Sequence, residues 1–146
     1  MARILVVDDQ PDLRERLIHV ISGLGEIIPA EDWIKALEMI QGKEFDVVVT
    51  DLRLSTDNPR DTHGFEVSKA AFNKNQLTQV IIITAFGDIE SNASAMDLPN
   101  VFDYLERNNR RIDFEKVLFR KITLAIDYRN SKHLINTMQR HNNDSN

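Results

Sequence analysis

The chain has 146 residues, a length typical of one domain with a modest appendage. Hydrophobic residues make up 42% of it, which is enough for a packed core and excludes wholesale disorder. Cysteine is absent, which excludes disulfides and thiolate metal sites, and the net charge of −5 argues against direct nucleic acid binding. The apolar run after Met1 is too short for a signal peptide or a membrane span, so we expect a cytoplasmic location away from the membrane.

Apolar runs and helical patterns alternate along the chain. Three of the five strand candidates are β-branched and nearly continuous, which is typical of strands buried on both faces of a parallel sheet. The second candidate is weaker, and its Pro29 favours an edge position. In chain order the predicted elements are strand Ile4–Val7, helix Leu13–Leu24, strand Glu26–Ala30, helix Trp33–Ile40, strand Val47–Val49, helix Val67–Ala71, strand Val80–Ile83, helix Ile89–Met96, strand Val101–Leu105 and helix Phe114–Ala125.

Five strand–helix repeats predict a three-layer α/β domain with a parallel sheet and right-handed crossovers. We expect this domain over residues 1–128. Residues 129–146 predict a helical extension or linker with a frayed tail from His141 onward. Such an extension exceeds what one face of a domain needs, and three interpretations stay open: a linker to a further domain, a dimer helix or a stray tail.

Polar residues follow the predicted strands. Asp8 and Asp9 end the first strand, Asp51 ends the third and Thr84 ends the fourth. Arg107 follows the fifth shortly after. In an open parallel sheet, ligands bind outside the carboxyl ends of the strands, so we expect these side chains to converge at one edge.

Each of these residues has an ordinary structural explanation when taken alone. The pair Asp8-Asp9 is a plausible helix cap before Pro11, Asp51 a turn residue and Thr84 a strand-end hydroxyl. Their placement at successive strand ends argues against all of those explanations at once. Clustered carboxylates also need a partner, because two of them about 4 Å apart repel by roughly 4 kcal/mol at an effective dielectric of about 20. A hard, oxygen-liganded cation such as Mg²⁺ would relieve this repulsion, and a hydroxyl and a fixed cation at the rim suit a phosphoryl group.

Four segments in order resemble the signature segments of response-regulator receiver domains, over roughly Ala2 to Tyr128. The resemblance implies a flavodoxin-like (βα)5 fold with five parallel strands in the order 2-1-3-4-5. It also implies a switch in two-component signal transduction, which receives a phosphoryl group from a sensor histidine kinase or a phosphotransfer protein. The segments are Ile4-Leu5-Val6-Val7-Asp8-Asp9, Val47-Val48-Val49-Thr50-Asp51-Leu52, Ile82-Ile83-Thr84-Ala85 and Phe102-Asp103-Tyr104-Leu105.

The resemblance also implies residue roles. Asp51 resembles the phosphoacceptor, Asp9 the direct ligand of Mg²⁺ or Mn²⁺, and Asp8 a ligand through water. The backbone carbonyl of Arg53 completes the metal ligands from the protein. Such a domain is not a conventional enzyme, although it assists its own phosphorylation and dephosphorylation.

Thr84 resembles the hydroxyl that turns toward the phosphate, and Tyr104 the aromatic rotamer switch coupled to it. That coupling alters the face made by the fourth helix, fifth strand and fifth helix, through which the resemblance implies homodimers or contacts with an output domain.

The sequence departs from the family pattern in three places. Arg107 stands where Lys is usual, and its planar guanidinium differs in shape from a compact ammonium. The segment Ser55–His63 is longer than the usual loop, and it is interpreted as a lid, a partner contact or a neutral insertion. Gln10 replaces a common acidic residue.

Two other functions compete with the signalling switch. Arg107 favours a degenerate receiver that binds proteins independently of phosphorylation, whereas the retained Asp8, Asp9 and Asp51 argue against it. Asp8 and Asp9 after a buried strand also fit a hydrolase that forms an aspartyl-phosphate. No added substrate domain supports that third interpretation. The four histidines are scattered and offer no rival metal site.

Overall fold

The computed structural model describes residues 1–55, 58, 61–85 and 89–144. Strands and helices alternate as the sequence predicts, with a short 3-10 turn at Ser22–Leu24 between the first helix and the second strand. The elements are β1 (Arg3–Val7), α1 (Pro11–Ile21), β2 (Glu26–Ala30), α2 (Trp33–Gly42), β3 (Val47–Asp51), α3 (His63–Lys74), β4 (Gln79–Thr84), α4 (Ile89–Met96), β5 (Val101–Glu106) and α5 (Phe114–Asp144).

The strands form a parallel sheet in the order β2-β1-β3-β4-β5, which confirms the predicted flavodoxin-like topology. The apolar residues of β1, β3 and β4 are buried because helices cover both faces of these central strands. β2 lies at the edge, as Pro29 indicates, since a proline there removes a backbone donor without breaking a central ladder.

The sheet separates two hydrophobic cores. One core packs α2, α3 and α4 against one face, with Leu5 and Val7 pointing toward it. The other packs α1 and α5 against the opposite face, and Ile4 and Val6 point that way. Successive residues of a strand alternate between the faces, so the four apolar residues of β1 serve both cores.

β5 contains a β-bulge that the sequence pattern does not predict. Its register against β4 shifts between Val80, which pairs with Val101, and Ile81, which pairs with Asp103. Phe102 is the extra residue and packs on the α1–α5 side, while Tyr104 packs on the α2–α3–α4 side. The bulge therefore decides which face of the sheet receives the Tyr104 ring.

Proline and aspartate residues mark the starts of three of these helices. Pro11 occupies the first turn of α1, where its missing backbone N–H is not needed. Asp32 caps α2 by accepting a hydrogen bond from the Lys35 backbone N–H at 2.7 Å. Asp113, directly before α5, accepts from the backbone N–H of Lys116 at 3.3 Å.

α5 is much longer than one face of the domain requires. It runs through Asp144, so the tail predicted to fray from His141 is helical up to that residue. Arg129 ties the helix to the domain through an ion pair with Asp46 at 3.1 Å, and residues 130–143 are exposed. None of the helices in the described part of the chain combines the length and apolar character that a membrane span requires.

Candidate functional site

The strand order brings the polar strand ends together. β1, β3 and β4 are neighbours, with Val7 paired to Thr50 and Asp51 paired to Ile83. Asp8 follows β1 directly, and Arg107 follows β5. These residues therefore share the carboxyl edge of the sheet, as expected from the sequence.

Asp8 is fully buried and faces inward rather than capping α1. Its Oδ1 accepts from the backbone N–H of Gln10 at 2.9 Å, and its Oδ2 lies 3.2 Å from a guanidinium nitrogen of Arg107. Gln10 occupies the N-cap position of α1 without a side-chain hydrogen bond. The cap interpretation of Asp8-Asp9 is therefore wrong for Asp8.

Asp51 is held at the end of β3 with 8% of its surface exposed. Its Oδ1 accepts from the backbone N–H of Arg53 at 3.2 Å, and its Oδ2 lies 3.6 Å from the Arg107 guanidinium. The preceding Thr50 hydroxyl donates to the Asp51 carbonyl at 2.9 Å. One carboxylate oxygen thus bonds to its own turn while the other faces the shared cation.

The turn after Asp51 packs tightly against the start of α3. Gly64 donates its backbone N–H to the Leu52 carbonyl at 3.0 Å. A Cβ at Gly64 would lie 2.5 Å from the Asp51 carbonyl oxygen and 2.8 Å from the Leu52 Cα. Only glycine permits this close approach, which fixes the backbone on the side of the phosphoacceptor candidate.

The pKa values of Asp51 and Asp8 are both raised in this site. The pKa of Asp51 is raised to about 6, chiefly by burial and then by the negative charge of Asp8, while the charge of Arg107 opposes the shift. Burial also raises the pKa of Asp8 above its usual range, against the hydrogen bond from Gln10 and the charge of Arg107. Removal from water disfavours the ionised forms, so these two carboxylates favour an added cation.

Arg107 lies between the two acids. Its backbone N–H donates to the Thr84 carbonyl at 2.7 Å, which extends the β4–β5 ladder past the strand ends. Its side chain is 15% exposed and contacts both Asp8 and Asp51 through the same nitrogen. A single guanidinium therefore partly neutralises two buried carboxylates, which is the arrangement expected of a fixed cation at this rim.

An open cleft of about 270 Å³ lies over Asp51. Its walls contain acidic and basic side chains, and several of the lining residues belong to the loop after β3. Asp8 and Thr84 do not belong to these walls and lie deeper. The lining residues are Asp9, Gln10, Asp51, Arg53, Ser55, Asn58, Ala85 and Arg107.

Sequence reasoning missed what organises this loop. Asp61 is buried and accepts from the backbone N–H groups of Leu54, at 2.8 Å, and His63, at 2.9 Å. It also pairs with the His63 imidazole, which stacks on Trp33 with ring centroids 4.1 Å apart. The sequence does not predict this role, because an isolated Asp-x-His in a polar loop is equally typical of an ordinary surface turn. His63 belongs to α3, so the helix begins one residue inside the predicted loop.

Ser55 and Asn58 bring the same loop to the cleft wall. The described part of the segment Ser55–His63 therefore includes residues that line this cleft.

Thr84 and Tyr104 lie on the two strands β4 and β5, behind the cleft walls. Thr84 is 2% exposed at the end of β4. Tyr104, two residues before the end of β5, is half-buried against the α2–α3–α4 core. In the register, Ile82 faces Tyr104 and Thr84 faces Glu106, so the two predicted switch residues are on neighbouring strands.

The donor set fits a hard divalent cation. In the part of the chain that the structure describes, no three acidic or histidine side chains form a metal-holding group by themselves. Mg²⁺ does not need such a group, because it uses one or two carboxylates with carbonyls, waters and phosphate oxygens. Asp9 and Asp51 line the same cleft, and Arg53 contributes to its wall.

Comparisons with known proteins agree with this geometry. Residues 4–118 match the family described as the response regulator receiver domain. The response regulator protein PilR of Pseudomonas aeruginosa is 30% identical over 105 residues, covering 70% of this chain and 22% of that protein. The transcriptional regulatory protein ZraR of Klebsiella oxytoca is 30% identical over 115 residues, covering 78% and 24%. The chain thus spans less than a quarter of the length of both relatives.

A solved structure of a CheY-like receiver domain protein from Methanospirillum hungatei superimposes with a TM-score of 0.76. The two sequences are 20% identical, and the match covers 90% of this chain and 98% of that one. At this identity the likeness concerns the fold, which both chains share over nearly the whole domain.

Proposed function

This chain belongs to the response regulator receiver domain family, and from that premise we propose that it is a phosphorylation switch with Asp51 as the phosphoacceptor. The observation that carries the proposal is the shared cleft, in which Asp51 lies beside Asp9 and Arg107. Family membership supports a role in two-component signalling, and the phosphoryl donor is a sensor histidine kinase or a phosphotransfer protein.

The reaction moves a phosphoryl group from nitrogen to oxygen. A carboxylate oxygen of Asp51 attacks the phosphorus of a phosphohistidine, a P–O bond forms, and the P–N bond breaks with the imidazole taking up a proton. Because the pKa of Asp51 is about 6, most of this carboxyl is ionised and nucleophilic at neutral pH. Arg107 supplies positive charge where the oxygens of the transferred group collect negative charge.

We propose that Asp9 and Asp51 would hold Mg²⁺ or Mn²⁺ directly, with Asp8 acting through water and the Arg53 carbonyl as a further ligand. When bound, the ion would supply positive charge to the phosphoryl group. The chain's own part is to fix the donors. The Gly64 contact holds the turn after β3, and burial keeps Asp8 in one orientation.

The signal then passes along the sheet. Thr84 donates its hydroxyl to the phosphoryl group, and Tyr104 repacks toward the space that Thr84 leaves. Their positions on adjacent strands support this coupling. The changed surface is that of α4, β5 and α5, which serves an output domain, a partner or a second copy of the chain.

We further propose that residues 1–128 form the receiver unit and residues 129–146 an extension or linker. The unit works in the cytoplasm and binds neither nucleic acid nor membrane directly. The acidic balance of the chain supports the absence of a nucleic acid surface.

The proposal is tested by loading the site with a small phosphodonor. With Mg²⁺ and acetyl phosphate, the intact chain should gain one phosphoryl group by mass spectrometry, and beryllium fluoride should change the amide spectrum. Asp51→Asn should abolish both responses, whereas Asp32→Asn, at the α2 cap, should leave them intact. A phosphoryl group retained in Asp51→Asn would contradict the assignment.

One observation favours the alternative of a degenerate receiver that binds proteins without phosphorylation. The guanidinium of Arg107 already lies within 3.2 Å of Asp8 and 3.6 Å of Asp51, so the acids have an internal cation. Titration with Mn²⁺, followed by electron paramagnetic resonance, separates the two functions. A phosphoacceptor binds the ion in a manner that Asp9→Asn weakens, and a degenerate module shows negligible binding in both proteins.

A further inference from the structure

The loop that follows β3 contains a buried carboxylate, that of Asp61, whose two oxygens accept from two different backbone N–H groups. Oδ2 accepts from Leu54 at 2.8 Å, and Oδ1 accepts from His63 at 2.9 Å. A carboxylate engaged in this way has one orientation, because any rotation would break a charge-assisted hydrogen bond to a backbone donor.

Two aromatic rings support this carboxylate from the neighbouring helices. The His63 imidazole pairs with Asp61 through Nδ1 and stacks on the Trp33 indole, with 4.1 Å between ring centroids and 7° between ring planes. Trp33 is the first residue of α2, and His63 is the first residue of α3. The position of Asp61 is therefore set by two helix starts as well as by its own loop.

The Leu54 amide that donates to Asp61 belongs to the same peptide unit as the Arg53 carbonyl. That peptide bond is trans, and a trans peptide is planar, with its N–H and its C=O pointing in opposite directions. A carboxylate that fixes the direction of the Leu54 N–H therefore also fixes the direction of the Arg53 carbonyl. An anionic acceptor polarises the peptide unit as well, which places more negative charge on the carbonyl oxygen.

The amide on the other side of Arg53 is fixed too. The Arg53 N–H donates to Oδ1 of Asp51 at 3.2 Å, so carboxylates engage the amides on both sides of this residue. Arg53 lines the cleft, whereas Asp61 and His63 line a neighbouring hollow at the start of α3. The Leu54 N–H thus points into the loop, away from the cleft.

The geometry points to Asp61 as a positioning residue that directs the Arg53 carbonyl into the cleft, where the proposed function uses it as a metal ligand. The inference rests on that function and adds a residue that lies outside the ligand set. A main-chain carbonyl has no rotamer of its own, so its direction depends on what holds the peptide unit. Substituting a residue that orients a metal ligand commonly lowers metal affinity by roughly 10- to 100-fold.

Mn²⁺ affinity, measured by electron paramagnetic resonance, tests the inference directly. Asp61→Ala removes both acceptor oxygens and should weaken Mn²⁺ binding by roughly 10- to 100-fold. Asp61→Asn keeps one acceptor oxygen without the negative charge, so its loss of affinity should be smaller.

Thr78→Val is the matched control for a loss of stability. It removes a buried hydroxyl that donates to the Phe45 carbonyl at 2.6 Å, directly before β4 and so at the amino edge of the sheet. This variant should have a lower melting temperature, as the Asp61 variants should, and should bind Mn²⁺ as tightly as the wild type. A loss of Mn²⁺ affinity equal to that of Asp61→Asn would show that reduced stability, and not the direction of the carbonyl, is the cause.

Nuclear magnetic resonance gives a readout at the peptide unit itself. In the metal-free wild type the Leu54 amide hydrogen should exchange slowly with solvent, and in Asp61→Asn it should exchange faster. On saturation with Mg²⁺, the Arg53 carbonyl carbon resonance should shift in the wild type and should shift less in Asp61→Asn.

Two further results would overturn this inference alone. They are wild-type Mn²⁺ affinity in both Asp61 variants, and an Arg53 carbonyl carbon that Mg²⁺ shifts equally in the wild type and in Asp61→Asn. With either result, phosphorylation of Asp51 in the wild type would still support the proposed function. A wild type that binds no Mn²⁺ and gains no phosphoryl group would overturn the proposed function and this inference together.

Discussion

At the scale of single residues, the main energetic feature of the site is the burial of charged side chains away from water. Asp8 and Asp51 are both buried, and one guanidinium serves both of them. Taking a carboxylate out of water costs several kcal/mol unless a partner compensates, and a shared partner compensates incompletely. The pKa values of both acids are raised because this compensation for lost hydration is incomplete.

Asp51→Asn should therefore stabilise the metal-free protein at neutral pH. The folded-state pKa of about 6 exceeds the ordinary value of 3.8, so the ionised Asp51 carboxyl destabilises the fold above pH 6. That cost appears as pH rises from about 4 to about 6. We expect a gain of about 1 to 3 kcal/mol in the free energy of unfolding at pH 7.

Urea unfolding in the presence of a chelator, at pH 7 and at pH 4, measures this gain. The gain should vanish at pH 4, where the wild-type carboxyl is protonated in the folded state. An equal gain at both pH values would show that ionisation is not its cause.

Arg107→Gln should destabilise the metal-free protein at pH 7. It leaves Asp8 fully buried without its cation, and the expected loss is about 1 to 3 kcal/mol. The loss should shrink as pH falls, because Asp8 and Asp51 both have raised pKa values and become neutral early.

Arg107→Lys keeps the charge without the planar fork, so it should recover part of that loss. Saturating Mg²⁺ should reduce the difference in stability between wild type and Arg107→Gln, because Mg²⁺ and the Arg107 guanidinium supply positive charge to the same acids. Thermal unfolding with and without Mg²⁺ measures this. A loss that is the same at pH 4 and pH 7 would contradict the electrostatic account.

At the scale of elements, the turn between β3 and α3 sets the position of Asp51. Its geometry depends on the close approach of Gly64 to the backbone of Asp51 and Leu52 and on the buried carboxylate of Asp61. Neither is a catalytic residue, but both determine where the carboxylate lies relative to Arg107.

Gly64→Ala should lower the free energy of unfolding by about 1 to 3 kcal/mol, because the added Cβ overlaps with main-chain atoms that cannot turn away. It should also weaken Mn²⁺ binding, since the Asp51 main chain must shift. Gly42→Ala is the matched control, because a Cβ there meets nothing within 4 Å. Calorimetry of both variants checks the difference, and equal stability would contradict the steric argument.

At the scale of the whole molecule, the fold divides into a layered domain and a projecting helix. The two cores lie entirely within residues 4–126, and residues 131–143 are exposed without exception. Arg129 marks the last ion pair of α5 with the domain among the described residues. The projecting helix thus adds surface without adding core.

A chain that ends at Asn130 should keep the stability of the full chain to within about 0.5 kcal/mol, because residues 131–143, which it loses, are all exposed. It should also accept a phosphoryl group as readily. A chain that ends at Ala125 should be clearly less stable, since it loses partly buried Ile126, the Tyr128–Phe102 ring contact and the Arg129–Asp46 pair. Equal stability of the two truncated chains would contradict this boundary.

The sequence by itself determined the layered fold and the edge at which the acids gather. Continuous β-branched runs require strands covered on both faces, and Asp8, Asp51 and Thr84 stand at strand ends, so their convergence follows from the parallel topology. Helical spacing likewise predicted that α5 runs past Tyr128. These features are local in the chain, which is why they can be read from it.

Only the tertiary structure decided how those residues meet. The β5 bulge that turns Tyr104 toward one core, the guanidinium that serves both Asp8 and Asp51, and the buried Asp61 that holds the loop all depend on contacts between distant segments. Burial and register are set by what packs on the other side of a residue. A linear pattern contains the residue and not its neighbours in space, so these details came from the folded chain alone.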